Sequence, residues 1–227
     1  MKKILMVLGL GILLSCTNGK NKDDVLRGRI IGLKKGTVYL NKIEHGKPVP
    51  VDSLRIKGTD EFEFDLSGYE PQLMAITLKE NKKGDYVLFF ADDTVNTVKT
   101  SLRKFGIEKT ATGGENFRKW TAFKEMMSQY HDRKLDLIKE KFQASKNRDT
   151  AGLNEIEKEL QSLEKRRLLY ALNFSFTNKD LPVGAYVAYT QLRQSRPLLD
   201  TVFKAMNNDI KQSYYGKQIG AVLDSLK

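Results

Sequence analysis

The feature that most constrains the fold of this chain is a change of hydrophobic period at Gly113-Gly114. Between Val25 and Thr112 short runs of alternating apolar and polar residues are cut apart by turn residues, a pattern that belongs to strands. The strand candidates are Val25–Ile31, Thr37–Ile43, Val49–Ile56, Phe62–Leu66, Leu73–Leu78, Tyr86–Phe90 and Val95–Thr100. The dividers hold Gly32 to Gly36, His45-Gly46-Lys47-Pro48, Gly58-Thr59-Asp60, Ser67 to Pro71, Lys82-Lys83-Gly84 and Asp92-Asp93. Strands of this length and spacing predict an antiparallel sandwich or barrel. Thr37-Val38-Tyr39-Leu40 and Phe62-Glu63-Phe64-Asp65 alternate as a sheet with one wet face does. Val87-Leu88-Phe89-Phe90 is apolar throughout and is expected at the centre of a sheet.

Beyond the two glycines, Phe117, Trp120, Phe123, Met127, Tyr130, Leu137 and Phe142 recur mostly at three- and four-residue steps. Leu153, Ile156, Leu160, Leu163, Tyr170 and Phe174 do so more regularly. Such steps keep side chains on one face of a helix. With Asn147 to Gly152 as the break, they predict two long antiparallel helices whose outer faces are charged. Pro182 to Leu192, Leu198 to Asn207 and Tyr214 to Leu226 follow as shorter helices, the first two parted by Ser195-Arg196-Pro197, since proline favours a first turn over an interior. The predicted class is α+β: an N-terminal antiparallel β-sandwich or barrel over residues 25–112, then a helical region over 113–227 that carries a long helical hairpin and packs on or beside the sheets.

The chain ahead of Val25 is of another kind. Lys2 and Lys3 precede an apolar run from Ile4 to Leu14, then Ser15, then Cys16, the single cysteine of the sequence. Residues 1–15 have the layout of a secretory signal peptide. About 11 apolar residues also fall short of the roughly 20 that a helix needs to cross a bilayer's hydrocarbon core. Leu13-Leu14-Ser15-Cys16 resembles the lipobox of bacterial lipoproteins, although Leu14 stands where a small residue is usual. The resemblance implies that Cys16 is the lipid-attachment site, that the leader is removed, and that the new terminus is acylated in turn. A thioether does not exchange with disulfides, and several acyl chains hold a protein to a membrane stably where one does not, at ~0.8 kcal/mol per buried methylene.

Residues 16–24 have too little apolar surface to offset the entropy of ordering and read as a lipidated flexible tether. Lys22-Asp23-Asp24 within it resembles the lysine-plus-acidic signals that send some lipoproteins to the cell surface. The expected location is the cell envelope, with the chain held at the outer membrane by its N-terminal lipid, facing the periplasm or exposed outside.

Once the leader and its two lysines leave, about 212 residues remain, enough for one or two domains. The formal charge of the whole chain is +11, which raises the question of nucleic acid. The distribution answers it. From His131 to Arg167 ten Lys or Arg face eight Asp or Glu, and from Val25 to Lys109 the numbers are fifteen and twelve. A duplex binder gathers its phosphate contacts on one face, whereas only Lys165-Arg166-Arg167 makes a basic triplet here. A nucleic-acid partner is not expected.

The arrangement Leu26-Arg27-Gly28-Arg29-Ile30, then Gly36-Thr37-Val38-Tyr39-Leu40, then Val51-Asp52-Ser53 with Ile56, Gly58, Phe62 and Phe64, resembles the uncharacterised domain that precedes the thioredoxin-like domain in envelope thiol–disulfide interchange lipoproteins. Gly113-Gly114-Glu115-Asn116 resembles that family's sheet-to-helix junction. The likeness spans Val25 to about Asp132 and extends more loosely to Lys227. Two features depart from it. The turn from Gly58 to Phe62 is longer than a glycine-x-phenylalanine spacing, and no Cys-x-x-Cys is present to run thiol exchange. The resemblance therefore implies the accessory domain without the family's oxidoreductase activity.

Other constellations are weak. His45 and His131 are the only histidines, too few with an acylated Cys16 for a structural zinc site. His45 falls in a polar turn, and His131-Asp132 are adjacent on a helix and so point to different faces. Asp92-Asp93 offers too few ligands for a hard cation and fits a turn. Gly113-Gly114 lacks the lysine and spacing of a phosphate loop and reads as a flexible junction. Phe117, Trp120 and Phe123 either pack the helices on the sheet or line a groove. No catalytic, metal or cofactor residues are assigned. The sequence thus leads to a membrane-anchored, non-enzymatic binding or scaffolding module. The alternatives are an accessory subunit for a separate thioredoxin-like oxidoreductase and a surface lipoprotein that captures nutrients or glycans.

Overall fold

The computed structural model describes residues 24–79 and 84–225; the leader, Cys16 and all of the tether except Asp24 lie outside the described residues. The strands are β1 (Val25–Ile31), β2 (Lys35–Glu44), β3 (Lys47–Lys57), β4 (Glu61–Asp65), β5 (Leu73–Leu78), β6 (Val87–Phe90), β7 (Val95–Ser101) and β8 (Lys109–Thr112). They make two four-stranded sheets, one in the order β4-β1-β7-β8 and the other β3-β2-β5-β6. Along β1 the buried positions are Leu26, Gly28 and Ile30, while Arg27 and Arg29 face water and pair with Glu63 and Asp60. This is the period of two that a half-buried strand requires.

The second sheet is antiparallel throughout, as expected, but the first is mixed. β1 and β7 run parallel from Val25↔Val95 to Ile31↔Ser101. Between them the chain visits the other sheet and returns, which supplies the long crossover that parallel neighbours need. Alternation reports which face is buried and carries no information on strand direction, so this pairing was beyond the pattern. β8 was also missed, because Lys109-Thr110-Ala111-Thr112 offers almost no apolar residue.

The apolar run of β6 misled in another way. β6 lies at the edge of its sheet, and it is buried because helices cover it, with the Phe90 ring 6.5 Å from Trp120 and 5.8 Å from Tyr186. The strand that sits inside that sheet with nearly every residue buried is β5. On the far edge, β3 is largely exposed and carries Pro48 and Pro50, residues that blunt an open edge.

The helices are α1 (Glu115–Lys146), α2 (Thr150–Thr177), α3 (Pro182–Leu192), α4 (Arg196–Ala205), α5 (Asn208–Gln212) and α6 (Tyr214–Ser225). α1 and α2 form the long hairpin foreseen from the sequence. Its turn ends where the Asp149 side chain caps α2 by accepting from the Gly152 N–H at 2.9 Å. Pro197 stands in the first turn of α4, where its missing N–H costs no helical bond. The five-residue α5, capped by Asn207, was not foreseen. Sheets and helices share one core that runs from Leu26 and Ile76 to Trp120, Val187 and Ile219.

Candidate functional site

The seam between the second sheet and the helices contains both a polar structural joint and a cleft lined by tyrosines. Phe117, Trp120 and Phe123 are 9%, 2% and 3% exposed, so this stripe is core and does not line a groove. Phe123 stacks on Tyr170 at 5.7 Å and meets Phe174 at 4.9 Å, closing the base of the hairpin.

The joint is polar and centred on Asp92. Its carboxylate accepts from the Asn116 side-chain amide at 2.7 Å and from the Phe117 backbone N–H at 3.2 Å. An anionic side chain from the β6–β7 turn thus satisfies a free donor in the first turn of α1, where the helix dipole favours negative charge. Asn116 Oδ1 in turn accepts from the Val183 N–H at the start of α3, and Asn96 ties down the turn by donating to the Asp92 and Thr94 carbonyls. One node therefore fixes the start of two helices against the sheet.

Gly113 and Gly114 belong to this joint and are not a flexible link. A Cβ at Gly114 would lie 2.6 Å from Asp92 Oδ2, and one at Gly113 would lie 2.7 Å from the Phe117 Cβ. The glycines are there because the backbone passes close to the node. With both Asp92 oxygens engaged by α1, the carboxylate has a structural task, and Asp93 beside it is exposed.

The cleft, of about 700 Å³, opens where the β2–β3 turn meets α3 and α6. Leu73, Tyr186 and Tyr215 form its floor, Tyr86, Tyr189 and Tyr214 its walls, and Glu44, His45, Arg193 and Gln218 its polar mouth. The tyrosines arise from two short spacings. Tyr186 and Tyr189 are three apart on α3 and share a face, while Tyr214 and Tyr215 open α6. Their rings touch: Tyr186 meets Tyr215 edge-on at 5.2 Å, and Tyr189 lies 6.3 Å from Tyr215.

The Tyr215 hydroxyl accepts from the Leu73 backbone N–H at 3.1 Å, which locks α6 to the first residue of β5. The carboxylate of Glu70 accepts from the Tyr214 N–H and fixes the same helix from outside. His45 and Gly46 make the two-residue turn between β2 and β3, both at positive φ, the geometry of the tight hairpin turns that match strand twist. His45 is exposed, as the sequence suggested, but it borders the cleft. Arg193 lies over the Tyr189 ring, 5.8 Å from its centroid.

Burial pushes the Tyr186 and Tyr214 phenols above their ordinary range, and Tyr215 furthest, with neighbouring tyrosines adding to the effect at Tyr215. Groups of this kind hold their protons at neutral pH. They donate and accept hydrogen bonds over an aromatic surface, which is the chemistry of recognition.

His131 lies exposed on α1, far along the hairpin, where it borders the groove between α1 and α2. Cys16 lies outside the described residues. Sequence reasoning did not single out any of the cleft tyrosines. Their only signal was the pair of short spacings on two separate helices, which become one surface only after folding. No group of histidine, cysteine, aspartate and glutamate among the described residues is arranged to hold a metal ion, and no described helix is long and apolar enough to cross a membrane.

No curated protein and no solved structure matches the chain. Residues 25–120, which comprise both sheets and the first turns of α1, match the model of a family described as a domain of unknown function, DUF4369.

Proposed function

We propose that this protein is a lipid-anchored binding module of the cell envelope, tethered through Cys16, whose recognition site is the tyrosine cleft between the β2–β3 turn, α3 and α6. The observation that carries the reading is the composition of that cleft. A concave site of this size with aromatic walls, a few polar groups and one cation at its mouth has the usual make-up of a ligand pocket. Its phenols are biased against ionisation, which favours binding over proton transfer as its task. The lipobox-like segment supports the anchor. The likeness of the N-terminal region to domains that precede thioredoxin-like domains supports a protein of that class as the partner, with this chain supplying recognition and no redox chemistry of its own.

The single tryptophan offers a readout. Trp120 and Tyr186 both pack on the Phe90 ring, so a molecule seated on the cleft floor should alter the fluorescence of Trp120. A set of tripeptides and short oligosaccharides, titrated against the purified chain, should contain ligands that shift this emission. Tyr189→Ala combined with Tyr214→Ala should weaken those ligands at least tenfold. Undiminished binding in the double variant would place recognition elsewhere on the molecule. The anchor has a separate test: Cys16→Ala should abolish labelling by a fatty-acid analogue and release the protein from membranes, and retained labelling would refute it.

A further inference from the structure

The tyrosine cleft carries a carboxylate and a guanidinium that do not pair with each other. Glu44 is the last residue of β2, just ahead of the His45-Gly46 turn. Arg193 caps the C-terminus of α3, where the helix dipole favours a cation. Both line the cleft, and among the described residues neither makes an ion pair. Arg133 and Arg167 differ in this respect, since each already binds a glutamate of the α1–α2 hairpin.

Each of the two charges is stationed at a different tyrosine. The Arg193 guanidinium lies 5.8 Å from the centroid of the Tyr189 ring, a contact that engages its flat face and leaves its N–H edge for a planar acceptor. Burial, and then the Glu44 carboxylate, hold the Tyr214 phenol above its ordinary range, which sets Glu44 near that ring. Tyr215 stands between the two tyrosines, 6.3 Å from Tyr189 and 5.0 Å from Tyr214. The outer rings are therefore separated by no more than about three residues of extended chain, at ~3.5 Å per residue.

We propose that the ligand of this cleft is a short peptide with both termini free, its carboxylate forked onto Arg193, its ammonium group held at Glu44 and its body laid over the tyrosine rings. The proposal rests on the reading of the cleft as the recognition site and names what that site takes. A free peptide of about three residues carries opposite charges at the two ends of a body of the right length. A neutral sugar compensates neither charge, so both groups would lose water on its arrival without gaining a counter-charge. The two charges also fix the direction of the peptide, because the reversed orientation sets like against like.

The test uses the full chain in mild detergent, read by calorimetry and Trp120 emission, with the tripeptides Ala-Leu-Ala and Ala-Tyr-Ala as probes. Each is compared with its N-acetylated and its C-amidated form. The free tripeptides are expected to bind, and blocking either end should raise the dissociation constant at least tenfold. Arg193→Gln should weaken the free peptides as much as amidation does and leave the amidated ones unaffected. Glu44→Gln should do the same for acetylation and the acetylated peptides. Both side chains are exposed, so the fold should survive either change, and Arg193→Lys, which keeps the charge without the fork, should restore only part of the affinity. Failure of both free tripeptides to bind would overturn the proposal, and so would binding that ignores the end groups or both substitutions. The cleft itself is judged apart, by Tyr189→Ala combined with Tyr214→Ala: a peptide or neutral oligosaccharide whose binding that variant removes keeps the cleft as the site even where the two charges play no part.

Discussion

A Cβ built on Gly28 would fall 1.9 Å from Cζ of Phe62, because the phenylalanine ring lies directly over its cross-strand neighbour. Glycine in a strand interior is normally a weak choice, and here a large ring fills the space that a side chain would have taken. The same ring meets Phe64 edge-on at 5.7 Å, so the pair of aromatics spans the inner face of β4. Gly28→Ala should therefore destabilise the protein. Overpacking costs about 1–3 kcal/mol, which exceeds the ~0.4–1 kcal/mol gained by restricting the unfolded chain. The size of the loss follows from urea unfolding, and adding Phe62→Leu should recover part of it. A Gly28→Ala protein with the wild-type midpoint would show that the ring moves aside freely.

The Gly28–Phe62 contact also marks how far the sequence could be read. The two residues were visible as members of β1 and β4, and alternation placed Phe62 on a buried face, but the face of Gly28 was not assigned and their register depends on the length of the β2–β3 excursion. Elements with a clean period were legible: the hairpin of α1 and α2, and all the strands with alternating or apolar runs. What stayed hidden depended on contacts between distant segments. The apolar run of β6 reported burial and gave no sign that helices, rather than flanking strands, supply it. Gly113-Gly114 read as a loose link, since nothing local announces that Asp92 will sit 2.6 Å from the space beside Gly114. The cleft was illegible for the same reason, because Tyr86, Tyr189 and Tyr214 are each ordinary partly buried residues until three elements bring them together.

The end of the sandwich nearest the tether carries an electrostatic conflict. Partial burial holds the Asp93 carboxyl above its ordinary range, and Asp24 and then Asp92 add to the shift. The folded protein thus binds this proton more tightly than the unfolded chain does. The group's contribution to stability is fully present below the ordinary carboxylate value of about 3.9 and is lost as pH rises through the higher folded value. At neutral pH the charged Asp93 is then a liability. Asp93→Asn should raise the melting temperature at pH 7, with the difference disappearing below about pH 4. The side chain is exposed, so the gain should be small and should shrink in high salt. Destabilisation by Asp93→Asn at neutral pH would contradict this account.

Trp120 connects the core to the cleft, and its replacement tests both. The residue is 2% exposed, lies between Phe90 and Phe117 at 6.5 Å and 6.0 Å, and is capped on its outer face by the Lys124 ammonium 3.8 Å from the ring centroid. Trp120→Ala should cost on the order of 3–5 kcal/mol, as truncation of large core side chains does. Trp120→Phe keeps most of the packing against Phe90 and Phe117, so its cost should be smaller, nearer the ~1–1.5 kcal/mol of swaps that largely conserve volume. If the two variants are compared by calorimetry, the alanine form should melt well below the phenylalanine form. Equal melting of Trp120→Ala and the wild type would sink the core assignment, and it would mean that the sheet and helices are held together by the Asp92 node without help from the aromatic stripe.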